Sequence, residues 1–132
     1  MKAVLDAGAL LAVEKRDRKV GAMLRVLQAR RVPLWTSAGV VAQVWRDGSK
    51  QVLLSRILGG VGVRGLTAGD ERTTGELLSA ARTRDVIDAH LALCVDAGDQ
   101  VLTSDPDDLG HLLTTRKVDA TLVRTSNVKA TW

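Results

Sequence analysis

Short apolar runs alternate with longer amphipathic segments along the chain. The runs are short enough for buried strands, and the segments between them carry apolar residues at the three- and four-residue spacing of helices. Strands are predicted at residues 2–5, 32–35, 61–66, 100–103 and 120–125. Helices are predicted at residues 9–15, 19–31, 37–59, 67–82, 85–98 and 104–114.

Residues at the segment ends support these boundaries. Ser37 and Asp85 are predicted N-caps, and Pro106 stands where a helix accepts proline, near its first position. The sequence 67–70 has capping-box spacing with Asp in place of the usual Glu, and Gly98 is a predicted helix end.

Strands that alternate with helices favour a parallel sheet, because parallel strands need crossover helices to connect them. We therefore predict the α/β class, specifically a three-layer α/β/α sandwich with a four- or five-stranded, mainly parallel sheet. A chain of 132 residues with 45% hydrophobic residues suits one domain, spanning residues 1–132.

The charge and the aromatic content limit how a ligand could be held. The formal net charge is +4, which is compatible with a polyanionic partner. Phe and Tyr are absent and only three Trp occur, so recognition by stacking many bases is disfavoured. A nucleic acid would be held mainly through its phosphates.

Cysteine usage and hydropathy predict a cytoplasmic protein without a membrane anchor. Cys94 is the only cysteine and lies in an apolar run, so we interpret it as a packing residue in a reducing compartment. No apolar stretch approaches the length of a membrane span, and the amino terminus reaches an acid after three apolar residues.

Three aspartates are the candidate chemical groups. Asp6 and Asp105 follow predicted strands, and Asp88 lies near the start of a predicted helix. In an open parallel sheet ligands collect at the carboxyl ends of the strands, so these acids could converge there. Converging carboxylates repel one another unless a cation joins them, and oxygen ligands favour Mg²⁺ or Mn²⁺. Such a site suits phosphodiester cleavage.

Structural interpretations of the same residues stay open. Asp85 and Asp88 also form an ordinary acidic helix start, and residues 104–108 look like a capped helix entrance. The basic segment 15–19 is most often a solvated surface. The two histidines, His90 and His111, do not make a zinc site.

The chain resembles PIN-domain proteins, in particular the small toxins of bacterial VapBC systems. The stretches that carry the resemblance are MKAVLDAGALLA, TSAGVVAQVW, DVIDAHLAL and VLTSDPDDL. The resemblance implies a small α/β/α sandwich whose acidic residues hold Mg²⁺ or Mn²⁺ for endoribonuclease cleavage. The matching acids are Asp6, Asp88 and Asp105, with Asp108 as an outer contributor, and the hydroxyl of Ser37 is expected to support a site carboxylate.

One position departs from the family pattern. Gln43 stands where the family usually carries Glu. Glutamine can coordinate through its carbonyl oxygen, but it brings no negative charge and cannot act as a base. We place Gln43 and Thr103 among the secondary site residues, and Arg82 and Arg84 as candidate RNA contacts.

The leading hypothesis is a metal-dependent ribonuclease toxin. The alternative is a catalytically weakened PIN module that binds RNA or its antitoxin without efficient cleavage. A phosphoaccepting receiver domain also has an acid after its first strand, but it normally needs an adjacent pair, and the sequence AVLDAG offers one. The resemblance further implies a homodimer and a cognate VapB-type antitoxin.

Overall fold

The computed structural model describes residues 1–125. Strands and helices alternate in the predicted order, with two helices in three of the four connections. The elements are β1 (Ala3–Leu5), α1 (Ala7–Glu14), α2 (Arg18–Ala29), β2 (Leu34–Ser37), α3 (Ala38–Val44), α4 (Val52–Leu58), β3 (Val61–Arg64), α5 (Asp70–Ala81), α6 (Val86–Leu93), β4 (Gln100–Thr103), α7 (Pro106–Arg116) and β5 (Thr121–Arg124).

The five strands form one parallel sheet in the order β3-β2-β1-β4-β5. The chain moves outward from β1 to β3, crosses back to β4 and moves outward again to β5. Because such crossovers are right-handed, reversing the direction places helices on both faces of the sheet. The three-layer α/β/α sandwich is confirmed, and its strand order reverses between β1 and β4.

Helices cover both faces of the sheet, so the central strand β1 is apolar along its whole length and β4 is apolar at its centre. All three residues of β1 are fully buried, and Val101 and Leu102 of β4 are buried beside them. Helix α2 buries Val20, Leu24 and Leu27 and exposes its basic side chains. No helix within residues 1–125 combines the length and the apolar character needed to cross a membrane.

The segment 37–59, predicted to be helical, is divided in the structure into α3 and α4. The cause is the buried side chain of Gln51. Its Oε1 accepts hydrogen bonds from the amides of Arg46 (2.8 Å) and Asp47 (3.0 Å), and its Nε2 donates to the Val44 carbonyl (2.9 Å). These bonds satisfy backbone groups that a continuous helix would have paired within itself.

The predicted capping box at 67–70 is wrong. Gly69, with φ of 95°, is the N-cap of α5, and no side chain within residues 1–125 caps this helix. The Asp70 carboxylate is used elsewhere: it accepts from Arg64 at 2.9 Å and lies 3.1 Å from His90 Nε2. This acid therefore joins β3, α5 and α6.

The end of α6 differs from the prediction at Gly98. The helix ends at Leu93, and the Arg116 guanidinium donates to the carbonyls of Ala92 (2.6 Å) and Val95 (2.9 Å). A side chain from α7 thus satisfies carbonyl groups that a longer helix would have used.

We expect Gln51→Ala to destabilise the protein. The substitution leaves the amides of Arg46 and Asp47 and the Val44 carbonyl without their partner, so the free energy of unfolding should fall by about 2–4 kcal/mol. Urea unfolding monitored by circular dichroism measures this loss. Gln28→Ala, at an exposed position of α2, is the matched control and should change stability by less than about 0.5 kcal/mol. Equal losses in both variants would contradict this role of Gln51.

Candidate active site

Asp6 lies at the end of β1, where it is also the N-cap of α1. Its side chain is buried, and both carboxylate oxygens accept hydrogen bonds. Oδ1 accepts from the Ala9 amide at 2.8 Å, and Oδ2 accepts from Thr103 Oγ1 at 2.6 Å and from the Ser104 amide at 3.2 Å. Burial raises the pKa of Asp6 despite these three donors.

Thr103 joins two of the predicted acids. Its hydroxyl donates to Asp6 and accepts from the Asp105 amide at 2.9 Å. The secondary site role predicted for Thr103 is consistent with these contacts. Ser104 and Gly8, which lie next to each other beside Asp6, were not predicted as site residues. The hydrogen bond from Ser104 to Asp6 comes from a backbone amide, which every residue except proline carries, so no residue type in the sequence indicates it.

Asp88 lies in the first turn of α6 and is partly exposed. No hydrogen-bond donor within residues 1–125 contacts its carboxylate. Burial raises the pKa of Asp88 to about 7, and repulsion from Asp85, Asp6, Asp105 and Asp108 contributes to the increase. The predicted acids therefore lie close enough to repel one another, near the point where the strand order reverses.

Asp105 and Asp108 also have a structural role. Asp105 is the N-cap of α7, and its Oδ1 accepts from the Asp108 amide at 3.3 Å. Both side chains are exposed. Hydrogen bonding and repulsion from Asp105 raise the pKa of Asp108. The capped helix entrance considered as the alternative is present, and it coexists with a position beside Asp6.

The arrangement of the acids is open. Within the part of the chain that the structure describes, no group of three or more His, Cys, Asp or Glu side chains is disposed to hold a metal ion. Asp6 is fixed by three hydrogen bonds, whereas Asp105 is exposed and Asp88 has no described donor. Carboxylate oxygens are suitable ligands for a hard cation, but these side chains do not form a complete coordination shell.

Two hydroxyl side chains at the end of β2, those of Thr36 and Ser37, form buried hydrogen bonds. Ser37 is buried and caps α3, accepting from the Val40 amide at 3.2 Å. The neighbouring Thr36 donates to the Leu5 carbonyl at 2.7 Å and so joins β2 to the residue before Asp6. The predicted N-cap at Ser37 is confirmed, and its hydrogen bond serves the helix rather than a carboxylate.

Gln43 is exposed on α3. It lies one turn after Gly39, on the same helix face, because residues four apart share a face. A Cβ at Gly39 would lie 3.5 Å from Ile87, the residue before Asp88. This face of α3 is therefore turned towards the start of α6, although no described hydrogen bond joins Gln43 to a site residue.

The candidate RNA contacts lie on the approach to α6. Arg82 and Arg84 are exposed in the segment between α5 and Asp85, and neither forms an ion pair within residues 1–125. Their predicted role stays a prediction.

The histidines and the cysteine are engaged in packing. His90 is buried against Asp70, and His111 Nε2 lies 2.7 Å from the Ala81 carbonyl. Cys94 is buried, as predicted.

The chain has structural but not sequence matches among known proteins. No protein-family model and no curated protein sequence matches it. It is similar to a chain in the crystal structure of VapBC2 from Rickettsia felis bound to a DNA fragment from their promoter, with a TM-score of 0.67 and 15% identity. The alignment covers 93% of this chain and 99% of that chain. This likeness shows the fold alone: the chain shares its α/β/α sandwich with a chain of that structure, and this is the fold that the sequence resemblance implied.

The raised pKa of Asp88 predicts a pH-dependent stability. Its value of about 7 lies above the ordinary 3.8, so the folded state retains a proton that the unfolded state releases between about pH 4 and 7. Stability should therefore decrease as the pH rises through this window. In EDTA, the wild-type melting temperature should fall by at least about 4 °C more than that of Asp88→Asn between pH 5 and 8.

Asp119→Asn, which removes an exposed acid remote from the site in sequence, is the control and should follow the wild type. Parallel pH profiles for the wild type and Asp88→Asn would show that ionisation of Asp88 does not lower the stability of the folded state.

Proposed function

We propose that the protein is a metal-dependent endoribonuclease toxin of a toxin–antitoxin system. The observation that carries this proposal is that Asp6, Asp88 and Asp105 lie near the carboxyl ends of β1 and β4, with Asp6 held by three hydrogen bonds. Burial, and then repulsion from Asp85, Asp6 and Asp105, raises the pKa of Asp88 to about 7. No described cation neutralises this cluster. A bound divalent cation would remove the repulsion, which is the usual purpose of such an arrangement of carboxylates.

Each acid has a distinct role in the proposal. Asp6, held by donors on both oxygens, would present a fixed ligand, and Asp88 and Asp105 would complete the contacts to Mg²⁺ or Mn²⁺. When bound, the ion supplies neutralisation of phosphodiester charge and lowers the pKa of water for hydrolysis. Thr103 holds Asp6 and the start of α7 in register.

The substrate side of the proposal is electrostatic. The net charge of +4 and the scarcity of aromatic residues favour contacts to phosphate rather than to stacked bases. Arg82 and Arg84 lie in the segment that leads to Asp88, so they are the proposed contacts to the RNA backbone.

The proposed partner is a cognate VapB-type antitoxin that covers the acidic site of a homodimer. The support is the fold shared with VapBC2, whose structure contains a DNA fragment from the promoter. The proposed location is the cytoplasm, in agreement with the single buried cysteine.

A second candidate is a weakened PIN module that binds RNA or antitoxin without efficient cleavage. Two observations favour it. Gln43 supplies no charge, and no group of three or more ligating side chains within residues 1–125 is disposed to hold a metal. Metal titration separates the candidates, because only the nuclease requires the acids to bind Mg²⁺ or Mn²⁺.

We expect Asp6→Asn to reduce RNA cleavage at least about a hundredfold, because it removes a charge that would hold the cation. The asparagine keeps the shape of the side chain, but its NH2 group cannot accept the hydrogen bonds of the oxygen that it replaces, so the free energy of unfolding should fall by about 1–3 kcal/mol. Cleavage of total tRNA in Mn²⁺ and urea unfolding without metal measure the two effects. Asp107→Asn, at an exposed position of α7, should retain wild-type cleavage. Undiminished cleavage by Asp6→Asn would remove this residue from the mechanism.

We expect Gln43→Glu to strengthen Mn²⁺ binding. The substitution adds one charge at nearly constant volume on the face of α3 that is turned towards α6, so affinity should rise about ten- to a hundredfold, or roughly 1.5–3 kcal/mol. Isothermal titration with Mn²⁺ and a cleavage assay on both proteins give the result.

The control for this charge is Gln28→Glu, which makes the same change at an exposed position of α2 and should leave Mn²⁺ affinity unaltered. A wild type that neither binds Mn²⁺ nor cleaves, together with an active Gln43→Glu, would favour the weakened module. Equal titration of wild type and Gln43→Glu would place Gln43 outside the site.

A further inference from the structure

Gly8 lies in the first turn of α1, two residues after Asp6, and is buried. A Cβ atom built on Gly8 would overlap the Cβ and Oγ of Ser104, and it would lie 3.4 Å from Asp6 Oδ1. The backbone of α1 therefore touches the segment that leaves β4, at the point where that segment reaches Asp6.

The contact cannot be relieved by a rotation of Ser104. Turning its χ1 angle moves Oγ, but Cβ is fixed to the backbone, so a side chain on residue 8 would force the backbone of Ser104 away. That backbone carries the amide that donates to Asp6 Oδ2 at 3.2 Å, the longest of the three hydrogen bonds to this carboxylate. A small displacement would break it.

Helix propensity does not account for glycine at this position. In a helix interior glycine is less favourable than alanine by about 0.5–1 kcal/mol. Gly21 in α2 and Gly75 in α5 are also helical, and a Cβ at either would meet no atom closer than ordinary contact distance. Only Gly8 among these three is crowded, so alanine would be tolerated at the other two and not here.

We propose that Gly8 is a positioning residue for the site. Its missing side chain lets the exit of β4 close against the first turn of α1, so that the Ser104 amide and the Thr103 hydroxyl together fix Oδ2 of Asp6 in the orientation that binds the cation. The cation-binding part of this inference rests on the proposed function. The hydrogen-bond part does not, because it concerns the metal-free protein.

The test compares Gly8→Ala, Gly21→Ala, Ser104→Gly and the double variant Gly8→Ala/Ser104→Gly. The double variant removes the overlapping Cβ and Oγ but keeps the amide of residue 104. Amide hydrogen exchange of residue 104, measured by NMR without metal, reports the hydrogen bond to Asp6. Isothermal titration with Mn²⁺ reports binding, and circular dichroism confirms that each variant is folded.

In Gly8→Ala the exchange protection of the Ser104 amide and the affinity for Mn²⁺ should each fall about tenfold. The double variant should recover both to within about threefold of Ser104→Gly alone, and Gly21→Ala should match the wild type. Should Gly8→Ala fail to fold, recovery in the double variant still decides the matter. Unchanged protection in Gly8→Ala, or no recovery in the double variant, would overturn the inference. If the wild type binds no Mn²⁺, the proposed function is wrong. The hydrogen-exchange data would then still test whether Gly8 positions the Ser104 amide.

Discussion

The hydrogen bonding of the Asp6 carboxylate is the constraint on which the site depends. A buried charge is costly unless donors satisfy it, and here the donors come from three places: the first turn of α1, the end of β4 and the loop that follows β4. One side chain therefore ties the two central strands together at their carboxyl ends. The same bonds fix the direction in which Asp6 presents its charge, so structural and chemical demands coincide at this residue.

At the opposite end of the β1–β4 pair lies Asp99, an acid with a structural role. Asp99 precedes β4, and its carboxylate accepts from the Lys2 amide at 3.0 Å and from Lys2 Nζ at 2.6 Å. Burial would raise the pKa of Asp99, but Lys2 and the Asp96 amide together lower it. At the carboxyl ends no residue within 1–125 pairs with Asp88, and burial with repulsion from neighbouring acids raises its pKa. The two ends differ because Asp99 has a cation from the protein, whereas a bound ion is only proposed for Asp88.

Because the acids are not held close together, the affinity of the site for a cation would be reduced. The Asp105 carboxylate caps α7, and Gln43 adds no charge where the family that the sequence resembles usually has Glu. Cation binding would therefore have to draw exposed side chains together at some cost in conformational entropy. The nuclease and the weakened module differ only in whether the attraction of the ion exceeds that cost. The positions of Asp6 and Thr103 are the same in both.

The sequence by itself determined the strands, the parallel sheet and the positions of Asp6 and Asp105, because apolar periodicity records burial and an acid after a strand of a parallel sheet must lie at its carboxyl edge. Only the tertiary structure decided which segments meet there. The pairing of β1 with β4 and the placement of α6 bring Asp88 to Asp6, and a backbone amide at Ser104 completes the bonding. The helix break at Gln51 is different, because the side chain there bonds to backbone groups only four to seven residues earlier. Hydrogen bonds between residues distant in the chain cannot be detected from the periodicity of the sequence, because each depends on how closely two separate segments approach.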